Sequence, residues 1–161
     1  MRVEAPSIPP TCPRCGGEAE YHESSTHLWG RDYGPVWSCP RDDARTSCRP
    51  GSKVPLGTLA DEELRTMRRA AHVALDSLWR RKAARDGVTR SEARTAAYQW
   101  LAVQLQIWPG PCHIGWMDLD ACRATIEACR PYLLPRDAAA VDSLEALAAA
   151  AEALAPTRKN V

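Results

Sequence analysis

No stretch of this 161-residue sequence approaches the roughly 18 consecutive apolar residues that a membrane-spanning helix requires. The first ten residues also lack the apolar segment of a secretory signal peptide, because three prolines and two charged residues occupy them. We therefore expect a cytoplasmic protein. Apolar residues still make up 45% of the chain, which is enough to form a buried core.

The sequence also lacks an excess of charge of either sign. Its 21 basic and 20 acidic residues give a formal net charge of +1. This balance argues against a histone-like or polybasic nucleic-acid binder, which needs a large positive surplus. It does not exclude a local basic patch on the folded surface.

The seven cysteines are an odd number, and a chain without a signal peptide keeps its thiols reduced, so no disulfide framework is expected. The first four cysteines cluster with proline and glycine, which is typical of a metal site. The last three lie in helical sequence, which favours packing. Cys122 and Cys129 share a helical face with Ile126 and are predicted to be core residues.

A change of composition near residue 58 divides the chain and predicts an α+β fold. Residues 11–57 are rich in glycine, proline, cysteine and aromatic residues, which favours a small zinc ribbon-like β module. Residues 58–155 carry apolar side chains at spacings of three and four, which predicts a domain of three or four helices. We expect residues 1–10 to form a disordered arm and residues 156–161 a tail.

Short-range signals mark the ends of the predicted helices. The first helix begins after Asp61 and ends at Gly87, and the second begins at a capping box that starts with Thr89. Asp118 caps the third helix, and the last helix spans residues 135–155.

Cys12 and Cys15 form a Cys-x-x-Cys knuckle that is followed by glycine. Two intervening residues let both thiolates reach one tetrahedral ion, and glycine permits the tight turn after the second. The short strands predicted at 18–22 and 35–39 cannot hold this module together alone, so we expect one structural zinc ion per chain to stabilise it. A redox pair is the alternative, although no βαβ pattern surrounds these cysteines.

The other half of the predicted site begins at Cys39, and its fourth ligand is open. A standard zinc ribbon repeats the Cys-x-x-Cys motif, whereas this chain places Asp42 where the fourth cysteine belongs. Cys48 lies six residues later and is the softer ligand, and closed structural sites prefer sulfur and nitrogen. We therefore prefer Cys48 as the fourth ligand and keep Asp42 as the alternative. His22 and His27 are the third choice.

Several blocks of residues occur in an order that is similar to a known family. The blocks are Cys12-Pro13-Arg14-Cys15-Gly16, Gly30-Arg31-Asp32-Tyr33-Gly34, Trp37-x-Cys39, Pro50-Gly51, Pro55-Leu56-Gly57, Leu59-Ala60-Asp61-x-Glu63-Leu64, Ala71-His72, Trp79, Trp100-Leu101-x-x-Gln104-Leu105 and Cys112-His113-Ile114-Gly115. Together they resemble a zinc-finger-containing domain of unknown function that is found mainly in bacteriophages and prophages. The resemblance implies a zinc domain, a phage or prophage origin and a bacterial host cell, and it implies no particular activity. The family usually has cysteine where this chain has Asp42 and histidine where it has Arg49.

Arginine and aromatic side chains surround the predicted zinc module. Basic residues interleaved with aromatic ones suit single-stranded nucleic acid, and arginine and tyrosine are also enriched at binding hot spots. The alternative is that the aromatic residues form the small core and the arginines are solvated. The predicted contact surface consists of Arg31, Tyr33, Arg41, Arg45 and Arg49.

Three features of the helical sequence are weaker candidates. His72 and Asp76 lie four residues apart, as in an oriented general base, but no nucleophile accompanies them. Cys112, His113 and Cys122 are candidates for a second metal site that lacks a fourth ligand. The alanine-rich last helix is a candidate surface for a homodimer.

For function, the sequence favours a non-enzymatic zinc-binding phage or prophage protein that binds nucleic acid or a host nucleic-acid-handling complex. The alternative is a protein-binding effector that inhibits a host defence or transcription complex. A metal-dependent enzyme comes third, because a closed four-ligand zinc site has no open position for water.

Overall fold

The computed structural model describes residues 1–154 of the chain. The first regular structure along the chain is a small antiparallel sheet. The three strands lie side by side in chain order and are β1 (Glu20–His22), β2 (Val36–Ser38) and β3 (Arg45–Ser47). Tyr21 pairs with Trp37 across β1 and β2, and their ring centroids are 5.2 Å apart. The first two strands confirm the predicted pair. The third was not predicted, because its Arg-Thr-Ser sequence has no apolar alternation.

Four long helices follow the sheet, so the predicted α+β fold is confirmed. A short helix, α1 (Thr26–Trp29), connects β1 to β2. The four long helices are α2 (Glu62–Asp86), α3 (Arg90–Leu105), α4 (Leu119–Cys129) and α5 (Pro135–Leu154). The predicted caps are present. Asp61 accepts the N–H of Leu64 at 3.0 Å, Thr89 and Glu92 form a reciprocal capping box, and Asp118 caps α4.

The predicted extension of the last helix to residue 155 and the predicted tail at 156–161 lie outside the described residues. Within residues 1–154, none of the helices combines the length and the apolar character that crossing a membrane requires.

Helix α2 is the centre of the helical domain and packs against α3, α4 and α5. Fully buried side chains from all four helices meet there, namely Leu75, Leu101, Ile126 and Val141. Cys122 and Cys129 are also fully buried, which confirms the prediction that they belong to the core. Since α5 uses Val141 to pack on α2, its apolar seam is occupied within the chain, and the homodimer stays a prediction.

The thiols of the helical core should be chemically inert in the native protein. Burial raises the pKa of Cys112 to about 11 and the pKa values of Cys122 and Cys129 to about 12, so little thiolate is present at neutral pH. We expect them to react with a maleimide ~100-fold or more slowly than an exposed thiol introduced on α5 by Ser143→Cys. Mass spectrometry of pulse-labelled protein measures the rates, and rapid native labelling of Cys122 and Cys129 would contradict this packing.

The first ten residues contact the helical domain, whereas the sequence alone predicts a disordered arm. Asp118 donates its backbone N–H to the carbonyl of Arg2 at 3.0 Å, and Glu4 donates to the carbonyl of Trp116 at 3.2 Å. Pro10 is fully buried. These partners lie more than a hundred positions away in the sequence, so composition alone did not indicate them.

The sheet and the helical domain are joined tightly near residue 58. Thr58 donates its N–H to the carbonyl of Gly115 at 3.0 Å, and Arg45 and Ala60 exchange two backbone hydrogen bonds of 3.1 Å. Leu59 is fully buried in the small core beneath the sheet. Because of these contacts, the surface that the two parts share has a fixed shape.

Candidate metal centre and basic cleft

The first half of the metal centre is the loop of residues 12–17. Gly16 donates its N–H to the carbonyl of Cys12 at 2.9 Å, and its φ of +71° lies in the left-handed region that favours glycine. The N–H of Arg14 points at the Sγ atom of Cys12 at 3.4 Å. A donor aimed at a cysteine sulfur stabilises the thiolate, which is the form that binds metal.

The second half, residues 39–44, resembles this loop and differs from it at the last three of its six positions. It starts with the same Cys-Pro-Arg triplet, and the N–H of Arg41 lies 3.4 Å from the Sγ atom of Cys39. Cys39 donates its own N–H to the carbonyl of Ala44 at 2.8 Å, which closes the turn. Asp42 occupies the position that Cys15 has in the first loop, so a carboxylate stands in place of the fourth sulfur.

The two loops bring four ligand atoms together. One ligand atom from each of Cys12, Cys15, Cys39 and Asp42 lies within 4.8 Å of all the others. The Cys12 Sγ and Asp42 Oδ2 atoms are 3.1 Å apart, and the Sγ atoms of Cys15 and Cys39 are 3.5 Å apart. Tetrahedral zinc with Zn–S bonds of about 2.3 Å separates its ligand atoms by about 3.5–3.8 Å. The group therefore suits one structural zinc ion.

Asp42 is oriented to offer a single oxygen to the centre. Its Oδ1 atom accepts the backbone N–H of Ala44 at 2.8 Å, while its Oδ2 atom faces Cys12. Hydrogen bonds of this kind fix the orientation of a ligand before the metal binds. The carboxylate is thus held as a one-oxygen ligand and completes a set of four.

The structure does not support the preference for Cys48 and places Asp42 in the fourth position. Strand β3 runs antiparallel to β2 and carries Cys48 about 13 Å along the chain beyond the second loop. There Cys48 donates its N–H to the carbonyl of Pro35 at 3.1 Å, and its side chain is buried in the small core. His22 and His27 also lie outside the group, with ring centroids 4.3 Å apart.

The electrostatics of the loops favour occupation by a cation. Burial raises the pKa of Cys12 to about 12 and also raises the pKa of Cys39, whereas the N–H of Gly17 lowers the pKa of Cys15. Three thiolates and a carboxylate would carry four negative charges, and zinc would neutralise two of them. The guanidinium of Arg41 lies against Gly17 beside Cys15 and supplies further positive charge. Arg41, predicted as a contact residue, therefore lies at the metal centre.

A family described as a zinc-finger-containing domain matches residues 8–132, a range that includes both loops and helices α2 to α4. The chain belongs to this family. The match and the four converging ligand atoms together support one structural zinc ion in this zinc-finger domain. Comparisons with curated proteins and with solved structures find no significant match.

The zinc-finger domain also forms a cleft between its sheet and its helices, with a volume of about 530 Å³. We call it the basic cleft, because no aspartate or glutamate is among the described residues that line it. Aromatic rings line it as well, contributed by Trp29, Tyr98 and Trp116. Its basic side chains are Arg45, Arg49, Arg65, Arg68, Arg94, His72 and His113.

Most of the positive charge in the basic cleft is not neutralised by ion pairs. Arg65 pairs with Asp43 at 2.9 Å and with Glu62 at 2.6 Å. The other four arginines form no ion pair in the described part of the chain, but the buried guanidinium of Arg68 donates to the carbonyls of Thr58 and Met117. The unpaired charge that remains for a ligand is that of Arg45, Arg49 and Arg94. The near-neutral net charge of the whole chain therefore conceals a segregated positive surface, which only the fold reveals.

The predicted contact surface only partly coincides with this cleft. Arg45 and Arg49 line it. Arg31 and Tyr33 do not line the cleft, but Trp29 links them to it. The guanidinium of Arg45 lies 5.4 Å from the centre of the Trp29 ring, and Tyr33 contacts the same ring edge-on at 5.8 Å. Arg31 lies over the Tyr33 ring at 5.6 Å. Arg31 and Tyr33 therefore lie on the rim.

Three rings form a continuous row along one wall of the cleft. The His113 ring centroid is 4.6 Å from that of Trp116 and 5.9 Å from that of Tyr98. Burial lowers the pKa values of His113 and His72, so both imidazoles are neutral at pH 7. Neutral His113 thus serves as one more flat ring, and we call Tyr98, His113 and Trp116 the ring row.

The weaker candidates do not assemble into sites. Asp76, the partner predicted for His72, accepts the indole N–H of Trp79 at 2.7 Å. Among residues 1–154, three or more metal-ligating side chains converge only at the zinc centre, so Cys112 and Cys122 do not form a second metal site.

Proposed function

We propose that this zinc-finger domain is a non-enzymatic protein that binds nucleic acid in the basic cleft. The lining of the cleft is the observation that supports the proposal most directly, because, within the described part of the chain, five arginines and no acidic side chain line it, and Arg45, Arg49 and Arg94 form no ion pair. Contacts with phosphates supply most of the affinity of proteins for nucleic acid, and arginine is well suited to them.

The rings of the cleft supply the second component that binding of this kind uses. Bases stack on aromatic side chains in proteins that bind single strands without reading sequence. Trp29 is 40% exposed on one wall, and the ring row lies on the other. Arg45 and Trp29 belong to the sheet module, whereas Arg94 and Tyr98 belong to α3, so both parts of the fold contribute to one surface.

The zinc centre helps to fix the position of the side chains that line the cleft. The second metal loop, residues 39–44, leads directly into β3, which starts with Arg45. Zinc that fixes the loop therefore also fixes the position of Arg45 relative to the helices. In this proposal the metal has a scaffolding role, because four protein ligands leave no position for a reacting water.

We also propose a phage or prophage setting for this activity, for which the blocks of residues described in the sequence analysis are the support. The ligand would be nucleic acid in the bacterial cytoplasm, alone or within a host nucleic-acid-handling complex. A protein-binding effector is the second candidate, and the 67% exposure of Tyr33 on the rim favours it. The two candidates differ in salt dependence, since phosphate contacts release counterions and a tyrosine-centred protein contact does not.

Charge reversal in the cleft is the test of the proposal. We expect Arg45→Glu and Arg49→Glu each to weaken binding of a fluorescent oligonucleotide about 10-fold at low salt and to flatten the salt dependence by about one unit of slope. Fluorescence anisotropy across a salt series measures both effects.

Arg136→Glu is the matched control, because Arg136 is an exposed arginine on α5, away from the cleft. Equal weakening by all three variants would indicate nonspecific attraction and refute the cleft. Binding that is insensitive to salt and is lost in Tyr33→Ala would favour the protein-binding candidate.

A further inference from the structure

We infer that the nucleic acid is single-stranded and that its path continues from the basic cleft, across the ring row, into a second recess on α3. This inference rests on the proposed function and specifies the ligand and the length of its footprint. It depends on the shape of the second recess, on the pattern of side chains along α3 and on the rings between the two recesses.

The second recess, which we call the α3 recess, has a volume of about 790 Å³. It shares Arg94, Tyr98 and His113 with the basic cleft, so the two recesses adjoin at these residues. No aspartate or glutamate is among the described residues lining the α3 recess either. Each recess lies within the 300–1,000 Å³ typical of pockets for small organic ligands, which is enough for a nucleotide unit.

Helix α3 presents two parallel rows of side chains to this groove. Arg90, Arg94 and Tyr98 are spaced by four residues and therefore lie on one face of the helix. A neighbouring row carries neutral hydrogen-bonding groups at the same spacing, namely Ser91, Thr95 and Gln99. A charged row beside a neutral polar row suits a strand whose phosphates follow the arginines and whose sugars and bases face the hydroxyl and amide groups.

Among the described residues, the part of the α3 recess that Trp79 lines carries no uncompensated negative charge that would repel a phosphate. The guanidinium of Arg80 lies 5.3 Å from the Trp79 ring. Asp76 lies beside Trp79, but it accepts the indole N–H and pairs with Arg80 at 3.6 Å, so its charge is compensated locally. The positive lining therefore extends along the groove from Arg45 to Arg90.

The concave shape of the groove favours a single strand over a duplex. Proteins that read duplex DNA insert a protruding helix or ribbon into a major groove about 12 Å wide. Here the basic residues line a depression, which receives a ligand. In addition, Tyr98 and His113 lie where the two recesses join, and stacking on these rings requires a base with a free face, which a paired and stacked base lacks.

The test compares oligonucleotides of two lengths on the zinc-loaded protein of 161 residues. We expect a single strand of ~12 nucleotides to bind at least about 10-fold more tightly than one of ~4 nucleotides, and more tightly than a duplex of the same sequence. Arg90→Glu should weaken binding of the longer strand about 10-fold and leave the shorter one unchanged, whereas Arg45→Glu should weaken both.

Arg90→Glu is a suitable variant because Arg90 is exposed at the first position of α3, where a negative side chain is favourable for the helix. A longer strand can be placed on the protein in more positions, which raises its apparent affinity. That gain is equal in the wild type and in Arg90→Glu, so the difference between the two proteins measures the contribution of the α3 recess. If Arg45→Glu weakens binding and Arg90→Glu does not, the proposed function stands and the path is wrong. Equal affinity for duplex and single strand also refutes the path, and if neither variant has an effect, both proposals fail.

Discussion

Asp42→Ala is expected to weaken zinc binding strongly, whereas Cys48→Ala is expected to bind one zinc ion per chain as tightly as the unchanged protein. The Oδ2 atom of Asp42 faces Cys12 at 3.1 Å, whereas Cys48 follows β3 and lies beside Pro35, at the other end of the β2–β3 hairpin from the second loop. Structural zinc in small domains contributes apparent binding free energies of roughly 10–16 kcal/mol, so losing one of four ligands should lower zinc affinity by about 100-fold or more. Competition with a chromogenic chelator measures this affinity.

The two variants have a matched third, Asp42→Cys, which restores the second Cys-x-x-Cys motif. It should bind zinc at least as tightly as the natural chain, because closed structural sites prefer thiolate ligands. Cys48→Ala should lower stability only by the cost of a small buried cavity, about 1–2 kcal/mol, with the metal retained. The ligand assignment would be wrong if Cys48→Ala lost the metal and Asp42→Ala kept it.

Loss of zinc should destabilise the two loops of the metal centre more than the rest of the chain. Hydrogen exchange should accelerate at residues 12–17 and 39–44, because few apolar side chains support these loops without the ion. Since residue 44 leads directly into Arg45, Asp42→Ala should also weaken nucleic-acid binding in the basic cleft. The zinc-loaded Asp42→Cys protein should bind nucleic acid normally.

The elements that could be predicted from the sequence are those that depend on nearby residues. Asp61, Thr89 and Asp118 cap their helices as predicted, because a capping hydrogen bond reaches only three residues along the chain. The Cys12 knuckle is equally local. Cys122 and Cys129 were predicted to be buried from the helical period alone, and they are.

The fourth metal ligand and the basic cleft could not be predicted in this way. The choice between Asp42 and Cys48 depends on the register of β3 against β2, and β3 has no apolar alternation that would reveal it. The cleft combines Arg45 with Arg94, which are 49 positions apart in the sequence. Counting charges along the chain averages over such pairs, so a cleft free of acidic residues is visible only in the fold.

Gly57→Ala is expected to be the most destabilising small substitution at the junction between the sheet and the helical domain. A Cβ atom at Gly57 would stand 2.3 Å from the carbonyl oxygen and 3.0 Å from the carbonyl carbon of Gly115. Both atoms belong to backbone, which cannot rotate away as a flexible side chain can. Overpacking of this kind costs about 2–4 kcal/mol, which corresponds to a fall in Tm of about 5–15 °C for a chain of this size.

Gly110→Ala is the matched control, since an added Cβ there meets no atom within 4 Å, and its stability should change by less than about 0.5 kcal/mol. Thermal unfolding followed by circular dichroism compares the two variants. Gly57 and Gly115 both line the basic cleft, so forcing them apart should also displace the neighbouring His113 from the ring row. Gly57→Ala should therefore weaken oligonucleotide binding even at temperatures where it remains folded. Equal melting temperatures for the two variants would show that the junction is not closely packed and would remove the basis for a fixed cleft.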